Sequence, residues 1–171
     1  MIKRILIIVI AIVFLAGGLY FGLRGGYPRP YAEVVEETGI EPCLAYSVMK
    51  AESDFREDVI SRAGAVGLMQ IKPSTAEFIC RREGIDFESE RLTEGEYNAR
   101  LGCLYLLYLL SKFEEQTAIA AYNAGEGTVS QWLKDPDVSS DGRILDRIPY
   151  PETEQYVKKI EKFRKIYDFY Y

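Results

Sequence analysis

The 171-residue sequence contains no histidine. This absence excludes Ser-His-Asp and Cys-His nucleophilic catalysis, HExxH zinc sites and any proton shuttle that depends on an imidazole. If the chain is an enzyme that works near neutral pH, its proton transfers must fall to a carboxylate, a tyrosine, a lysine or a cysteine. A search for a catalytic group therefore starts from the acidic side chains.

Basic residues are too few to give the chain a positive charge. It has 21 lysines and arginines against 26 aspartates and glutamates, a formal net charge of −5 and a pI near 5.0. A nucleic-acid-binding protein needs a basic surface to neutralise phosphates, so the composition argues against general nucleic-acid binding. Hydrophobic residues make up 48% of the chain, which is enough to build a buried core.

Residues 5–23 form a long hydrophobic run, 19 residues without a charge before Arg24. A helix of this length spans about 29 Å, which is enough to cross the hydrocarbon core of a bilayer. The run is longer than a usual signal-peptide core and lacks a clear A-x-A cleavage site. It therefore favours an uncleaved signal anchor over residues 1–24 rather than a cleaved signal peptide. Because Lys3 and Arg4 precede the run, we expect a single-pass protein whose remaining residues lie outside the cytoplasmic membrane.

Cysteine is scarce, with three residues, Cys43, Cys80 and Cys103. Cys43 and Cys103 lie in apolar helical patterns, where a free cysteine packs as a small hydrophobic residue. The pattern favours buried thiols over a single disulfide. It gives little support to a metal site, because without histidine a zinc ion would need carboxylates to complete its ligands. We expect no metal and no cofactor.

Residues 25–30 (GGYPRP) predict a linker, because glycine and proline interrupt helices. We therefore expect one domain over residues 31–171, and its hydrophobic periodicity is almost entirely helical. Leu44, Val48, Ala51 and Phe55 recur at spacings of 4, 3 and 4 after Pro42, which is typical of one buried helix face. Further helices are predicted over 74–83, 96–112, 117–123, 129–133 and 151–167, and a polar loop over 134–147. The fold class is mainly α, preceded by one transmembrane helix.

Glu52 is the carboxylate with the most apolar sequence context. In a helix it lies about 60 to 80° from the centre of the stripe that contains Val48 and Ala51, beside Ala45 and Met49. Partial withdrawal from water favours the neutral carboxyl and raises its pKa, which suits a general acid. The alternative is an ordinary residue at the edge of the stripe that forms a surface ion pair.

Two later stretches contain groups that could bind a polar substrate. Residues 64–70 (GAVGLMQ) place the Gln70 amide after small residues, and residues 121–125 (AYNAG) place Tyr122 and Asn123 at a helix end. Each also has a purely structural interpretation, since Gln70 can satisfy loop backbone and the Tyr-Asn pair can end a helix. Together with Glu52, they supply an acid, amides that could bind an acetamido group, and an aromatic face for a sugar ring.

With these residues in place, the sequence resembles the catalytic domain of the soluble lytic transglycosylases, which is related to goose-type lysozyme. Five ordered blocks carry the resemblance and span roughly residues 42–163. The blocks are Glu52-Ser53-x-Phe55 with Ser61; Gly67-Leu68-Met69-Gln70-Ile71-x-Pro73-x-Thr75-Ala76; Asn98-x-x-Leu101-Gly102-x-x-Tyr105-Leu106; Ala120-Ala121-Tyr122-Asn123-Ala124-Gly125-x-Gly127 with Val129 and Trp132; and Ile148-Pro149-Tyr150-x-Glu152-Thr153-x-x-Tyr156-Val157.

The resemblance implies a lysozyme-like helical domain with a substrate cleft, and cleavage of the β-1,4 bond between N-acetylmuramic acid and N-acetylglucosamine in peptidoglycan. Glu52 would act first as acid and then as base, so that the muramoyl C6 hydroxyl attacks C1 and leaves a 1,6-anhydro end. The absence of an obvious second carboxylate agrees with this, because standard glycosidases use two. The partners implied are glycan strands and, through residues 5–23, the bacterial cell membrane.

The resemblance also assigns substrate-binding residues. They are Ser61, Met69, Gln70, Tyr122, Asn123, Glu152 and Tyr156. Met69 has an alternative role in core packing, and Glu152 has one in stabilising the N-terminus of a helix.

Two other functions are compatible with the same residues. The first is a hydrolytic muramidase on the same fold, in which water replaces the C6 hydroxyl. The second is a catalytically weak module that binds peptidoglycan or anchors an assembly. The chemistry of the products separates the first from a transglycosylase, and the effect of replacing Glu52 tests the second.

Overall fold

The computed structural model describes residues 2–171, including the side chains of residues 10, 12–15, 17, 18, 20–22 and 24–171. Eight α-helices and one 3-10 helix follow one another along this part of the chain. The helices are α1 (Ile2–Gly25), α2 (Ala32–Thr38), α3 (Pro42–Glu52), α4 (Pro73–Glu83), the 3-10 helix (Ser89–Thr93), α5 (Gly95–Leu110), α6 (Glu115–Ala124), α7 (Glu126–Trp132) and α8 (Pro151–Tyr170). The predicted mainly helical architecture is confirmed, and α2 and the 3-10 helix are additions to it.

The helix boundaries follow local sequence signals. Prolines occupy the first turn of α3, α4 and α8, where the missing N–H costs nothing. The carboxylate of Glu41 accepts hydrogen bonds from the backbone amides of Cys43 and Leu44, 2.8 and 2.7 Å away, which caps the N-terminus of α3. These signals fix where α3 starts, and therefore where Glu52 falls at its other end.

Helix α5 is the centre of the core. Leu101, Leu106 and Leu109 are fully buried, and α2, α4 and α6 all contact this helix. The small residue Gly102 allows a close approach. Its close neighbour is the Met69 side chain of a loop, because a Cβ at Gly102 would overlap the Met69 sulfur.

The long connections are held by polar side chains. In the predicted polar loop, Val138 and Leu145 are buried, and the Ser139 hydroxyl donates to the carbonyl of Ile144 over 2.6 Å.

All three cysteines are free thiols; Cys80 and Cys103 are buried, as favoured by the sequence, and Cys43 is half-buried.

The chain enters the domain beside the C-terminal end of α8. The hydroxyl of Tyr171 donates to the carbonyl of Tyr27, and that of Tyr167 donates to the carbonyl of Pro28, both over 3.0 Å. Ring contacts join Tyr27 to the aromatic side chains of the last two turns of α8. Residues 27 and 28 of the predicted linker thus lie against the last helix.

Helix α1 covers the predicted hydrophobic run. Among the residues that the structure describes, no helix is both long enough and apolar enough for a membrane crossing. The side chains at positions 5–9, 11, 16, 19 and 23 of the predicted membrane segment lie outside the described residues. The transmembrane helix therefore stays a prediction.

Candidate active site

Glu52 is the last residue of α3, and its side chain is half-buried where α3 packs against α8. The hydroxyl of Tyr156 on α8 donates a hydrogen bond of 2.7 Å to Oε1 of Glu52. Burial raises the pKa of the Glu52 carboxyl to about 7, against the opposing effects of the Tyr156 hydrogen bond and the Lys159 charge. At neutral pH, Glu52 is therefore divided between its acid and its carboxylate form, which suits proton transfer in both directions.

The backbone turns sharply after Glu52. Asp54 and Phe55 have φ values of 55° and 63°, in the left-handed region that non-glycine residues seldom adopt. The buried hydroxyl of Ser53 donates to the carbonyl of Leu68 over 2.8 Å. This bond ties the end of α3 to the loop that carries Gln70.

The side chain of Asn98 on α5 binds the backbone of that loop. Its Nδ2 donates to the carbonyls of Val66 and Leu92 at 2.9 and 2.7 Å, and its Oδ1 accepts from the amide of Met69 at 2.7 Å. The side chain is fully buried. Gly67 crosses it with φ 78°, and a Cβ at this position would overlap Asn98 Nδ2 and the Leu92 carbonyl. Glycine is therefore required for the backbone to lie this close.

Gln70 and Ser61 lie on the wall of the site, and both side chains also serve the loop. Nε2 of Gln70 donates to the carbonyls of Val59 and Gly67, each over 2.9 Å. The Ser61 hydroxyl accepts a hydrogen bond of 3.0 Å from the amide of Ala65. Gln70 thus both supports the loop and lines the cavity. Its Nε2 group donates to the loop backbone, and its amide oxygen is left free to face a ligand.

Tyr122 and Asn123 approach from the end of α6. The Tyr122 hydroxyl donates to the carbonyl of Met69 over 2.9 Å, and burial keeps its pKa well above the usual range. The Asn123 Oδ1 accepts a hydrogen bond of 2.8 Å from the Thr153 hydroxyl of α8. This fixes the amide with its Nδ2 group directed to donate elsewhere.

These side chains enclose a cavity of about 360 Å³. Its lining residues are Glu52, Ser61, Ala63, Ala65, Gln70, Ile71, Lys72, Thr75, Tyr105, Tyr122, Asn123, Ala124, Gly125 and Glu152. A neighbouring cavity of about 290 Å³ shares Glu52, Asn123 and Glu152 with it, and adds Tyr156 and Lys159. Glu52 therefore faces two adjoining compartments.

The structure brings together all but one of the side chains that the resemblance assigned. Glu152 is exposed on the first turn of α8 at the cavity wall, and Tyr156 lies in the neighbouring compartment. The Met69 side chain is fully buried against Gly102 and Cys103, away from the cavity lining, and only its carbonyl serves the site through Tyr122. The physical reason is that Gly102 has no side chain, so the Met69 side chain packs into the space over it.

Among the residues of the site that were not assigned from the sequence are Tyr105, Thr153 and Lys159. Tyr105 lines the cavity, and its ring lies 5.4 Å from that of Tyr122. Thr153 orients Asn123, and Lys159 lies beside Glu52. Tyr105 and Thr153 belong to the motif blocks, so the resemblance contained a signal for both. Lys159 looked like one of several exposed lysines of α8.

Metal-ligating side chains are grouped at one place in the described residues, away from the cavity. Glu41, Cys43 and Asp168 bring one potential ligand atom each within 4.8 Å of one another. Both carboxylates are exposed, and that of Glu41 already caps α3. The cavity itself has one half-buried carboxylate, Glu52, and one exposed carboxylate, Glu152. Its chemistry is that of acid–base catalysis with amide and aromatic ligand-binding groups.

Comparison with known proteins agrees with this geometry. The family model described as transglycosylase SLT domain matches residues 31–143. The chain is 35% identical over 170 residues to the soluble lytic murein transglycosylase of Salmonella typhimurium, covering 92% of this chain and 25% of that protein. It is 31% identical over 182 residues to the membrane-bound lytic murein transglycosylase C of Actinobacillus pleuropneumoniae, covering 92% of this chain and 50% of that protein.

Solved structures show the same fold. The 70-kDa soluble lytic transglycosylase of Escherichia coli superposes with a TM-score of 0.75 at 29% identity, covering 91% of this chain and 27% of that one. The lytic transglycosylase Slt of Pseudomonas aeruginosa, solved as an inactive mutant, gives 0.71 at 34% identity, covering 82% and 24%. The expected lysozyme-like helical fold is confirmed. The chain spans about a quarter of the length of the first of these relatives.

Proposed function

The chain belongs to the transglycosylase SLT domain family, and from this premise we propose that it is a peptidoglycan lytic transglycosylase. Its substrate is the β-1,4 bond between N-acetylmuramic acid and N-acetylglucosamine, and its product carries a 1,6-anhydro end. The observation that carries the proposal is the half-buried carboxyl of Glu52, with a pKa raised to about 7, between two adjoining cavities.

Glu52 performs two proton transfers. In the first, the carboxyl gives its proton to the glycosidic oxygen while the bond from that oxygen to C1 breaks. In the second, the carboxylate takes the proton of the muramoyl C6 hydroxyl while the C6 oxygen forms a bond to C1. The carboxyl is thereby restored, and no water is consumed.

The surrounding groups serve these two steps. The Tyr156 hydroxyl stabilises the carboxylate formed in the first step, since a hydrogen bond to a charged acceptor is stronger than one to a neutral group. Asn123, held by Thr153, presents its Nδ2 group to an acetamido oxygen. Tyr105 and Tyr122 offer ring surface to the sugars, and Gln70 offers its amide oxygen. Burial raises the pKa of Tyr105 to about 12, so its ring stays neutral during turnover.

Digestion of purified peptidoglycan tests this activity directly. The expected muropeptides are one water lighter than hydrolysis products. Products with reducing ends would assign the chain as a hydrolytic muramidase. Binding without any product, unchanged in Glu52→Gln, would assign it as a peptidoglycan-binding module. The desolvation of Glu52 supports the enzyme over the binding module, because a carboxyl without a chemical role gains nothing from partial burial.

We further propose that residues 5–23 anchor the domain in the bacterial cell membrane, with the active site on the extracytoplasmic side. The uncharged run behind Lys3 and Arg4 supports this. So does the aromatic C-terminal end of α8, where Phe169 is 73% exposed and the Arg24 guanidinium lies 4.7 Å from the centre of the Tyr171 ring. Aromatic and arginine side chains are typical of the membrane interface.

Fractionation of cells that express the full chain tests the anchor. We expect the protein in carbonate-washed membranes, and a double variant with Val13→Arg and Leu15→Arg in the soluble fraction. Ile60→Arg changes an exposed aliphatic residue of the domain and serves as the control. Equal release of all three proteins would contradict the anchor and leave the enzymatic proposal unaffected.

A further inference from the structure

One face of α8 places three functional side chains in a row over the end of α3. Glu152, Tyr156 and Lys159 recur at spacings of 4 and 3, which puts them on the same side of the helix. Nζ of Lys159 donates a hydrogen bond of 2.9 Å to the carbonyl of Ala51, the residue before Glu52. Lys159 and Glu52 also line the same cavity. The ammonium group is therefore held beside the acid by the backbone of α3.

The neighbouring lysine shows how specific this placement is. Lys158 forms a 2.5 Å salt bridge with Glu154 on the exposed side of α8. Lys159 forms no salt bridge within the described part of the chain, so its charge is not neutralised by another carboxylate. The Lys159 ammonium group also lies 5.7 Å from the centre of the ring of Phe163, which is one turn further along α8. Two adjacent lysines thus have the same chemistry and opposite surroundings.

Few titratable or charged groups line the cavities around Glu52. They are Tyr156, Lys159 and the exposed Glu152 on α8, Tyr122 on α6, Tyr105 on α5, and the exposed Lys72 in the loop before α4. Burial holds the pKa of Tyr122 and of Tyr156 well above the usual range, so both stay neutral. The charge of Lys159 opposes the effect of burial on the pKa of Glu52.

We propose that Lys159 is a positioning residue, which binds the end of α3 through Ala51 and stabilises the carboxylate form of Glu52, and thereby sets the upper pH limit of catalysis. The proposal rests on the assignment of Glu52 as the acid. Without Lys159, burial alone would hold the proton more tightly, and the base step would start from a less stable carboxylate. An opposite charge at close range lowers a carboxyl pKa by one to three units in a shielded site. Because Lys159 is exposed, we expect about half a unit.

The test compares the full chain with Lys159→Met and, as the matched control, Lys158→Met. The expected result is that the alkaline limb of kcat/KM moves to higher pH by about 0.5 unit in Lys159→Met and stays in place in Lys158→Met. Lys159→Arg should leave the alkaline limb of kcat/KM where it is in the unsubstituted protein, since arginine keeps the positive charge. Carbon-13 NMR titration of the Glu52 carboxyl should give the same shift without any substrate.

Measurements on the unsubstituted protein keep the proposal testable even if a variant folds poorly. In the unchanged protein, added salt screens the Lys159 charge, so the Glu52 titration should move to higher pH as salt is raised. A Glu52 titration that responds neither to salt nor to Lys159→Met would overturn the proposal. If Glu52→Gln keeps full activity, the assignment of the acid fails instead, and the NMR titration still reports on the pair.

Discussion

The hydroxyl of Tyr156 donates a 2.7 Å hydrogen bond to Oε1 of Glu52, and this contact joins residues 104 positions apart in the chain. It brings the last helix onto the end of α3 and gives the half-buried carboxylate a hydrogen-bond donor. We predict that Tyr156→Phe moves the alkaline limb of activity to higher pH, because the lost bond had stabilised the carboxylate. The loss in kcat should be about tenfold. Unchanged kinetics would show that the hydroxyl only fills space.

Activity should depend on pH with a midpoint near neutrality. Glu52 must be protonated to donate to the glycosidic oxygen, and its pKa is about 7. The rate should therefore fall as pH rises through about 7, and about tenfold per pH unit well above it. Rates of muropeptide release between pH 5 and pH 9 check this. A flat profile would contradict Glu52 as the acid.

The same pKa predicts how stability depends on pH. The folded carboxyl binds its proton more tightly than the unfolded one, with a pKa of about 7 against 4.5. Glu52 therefore stabilises the fold least when it is ionised, and the cost of ionisation grows as pH rises from about 4.5 to about 7. Glu52→Gln removes this cost. We expect its free energy of unfolding to gain about 2 kcal/mol relative to the unchanged protein between pH 4 and pH 8.

Urea unfolding at a series of pH values measures that gain. Glu154→Gln, which changes an exposed glutamate of α8, is the control and should show no such trend. A difference between Glu52→Gln and the unchanged protein that does not vary with pH would mean that the Glu52 pKa is not raised in the folded state.

Asn98 and Asn123 should separate stability from activity. Asn98 is fully buried and holds three backbone groups, so Asn98→Ala leaves them unsatisfied and should cost about 2 to 4 kcal/mol. Asn123 is exposed at the cavity, so Asn123→Ala should change stability by less than about 1 kcal/mol and lower kcat/KM at least tenfold. Thermal unfolding and peptidoglycan digestion of both variants decide this, and a reversal of the two effects would contradict the site as described.

Much of the fold follows from local sequence. The stripe of Leu44, Val48, Ala51 and Phe55 predicted α3 and placed Glu52 at its edge, but Phe55 lies beyond the end of α3, after the sharp turn. The prolines at positions 42, 73 and 151 marked helix starts. Helix α2 escaped prediction because its two buried residues, Val34 and Val35, are adjacent and give no helical spacing. The core role of Met69 depends on the space over Gly102, which lies 33 residues away in the sequence.

Long-range contacts set the parts of the site that sequence could not predict. The periodicity of α8 places Lys159 on the side of Tyr156, but only the crossing of α8 over α3 brings its ammonium group to the carbonyl of Ala51. The bond from Thr153 to Asn123 likewise depends on how α6 meets α8. The sequence could single out Glu52 as the candidate acid, whereas the groups that set its proton affinity required the packed structure.

The most direct test of the account is a digest of peptidoglycan in water labelled with heavy oxygen, using the full chain and its Glu52→Gln variant. The account predicts muropeptides that are one water lighter than hydrolysis products and carry no label, because the C6 oxygen of the substrate closes the ring. It also predicts that the variant releases at least a hundredfold less. Labelled reducing ends, or undiminished release by Glu52→Gln, would contradict it.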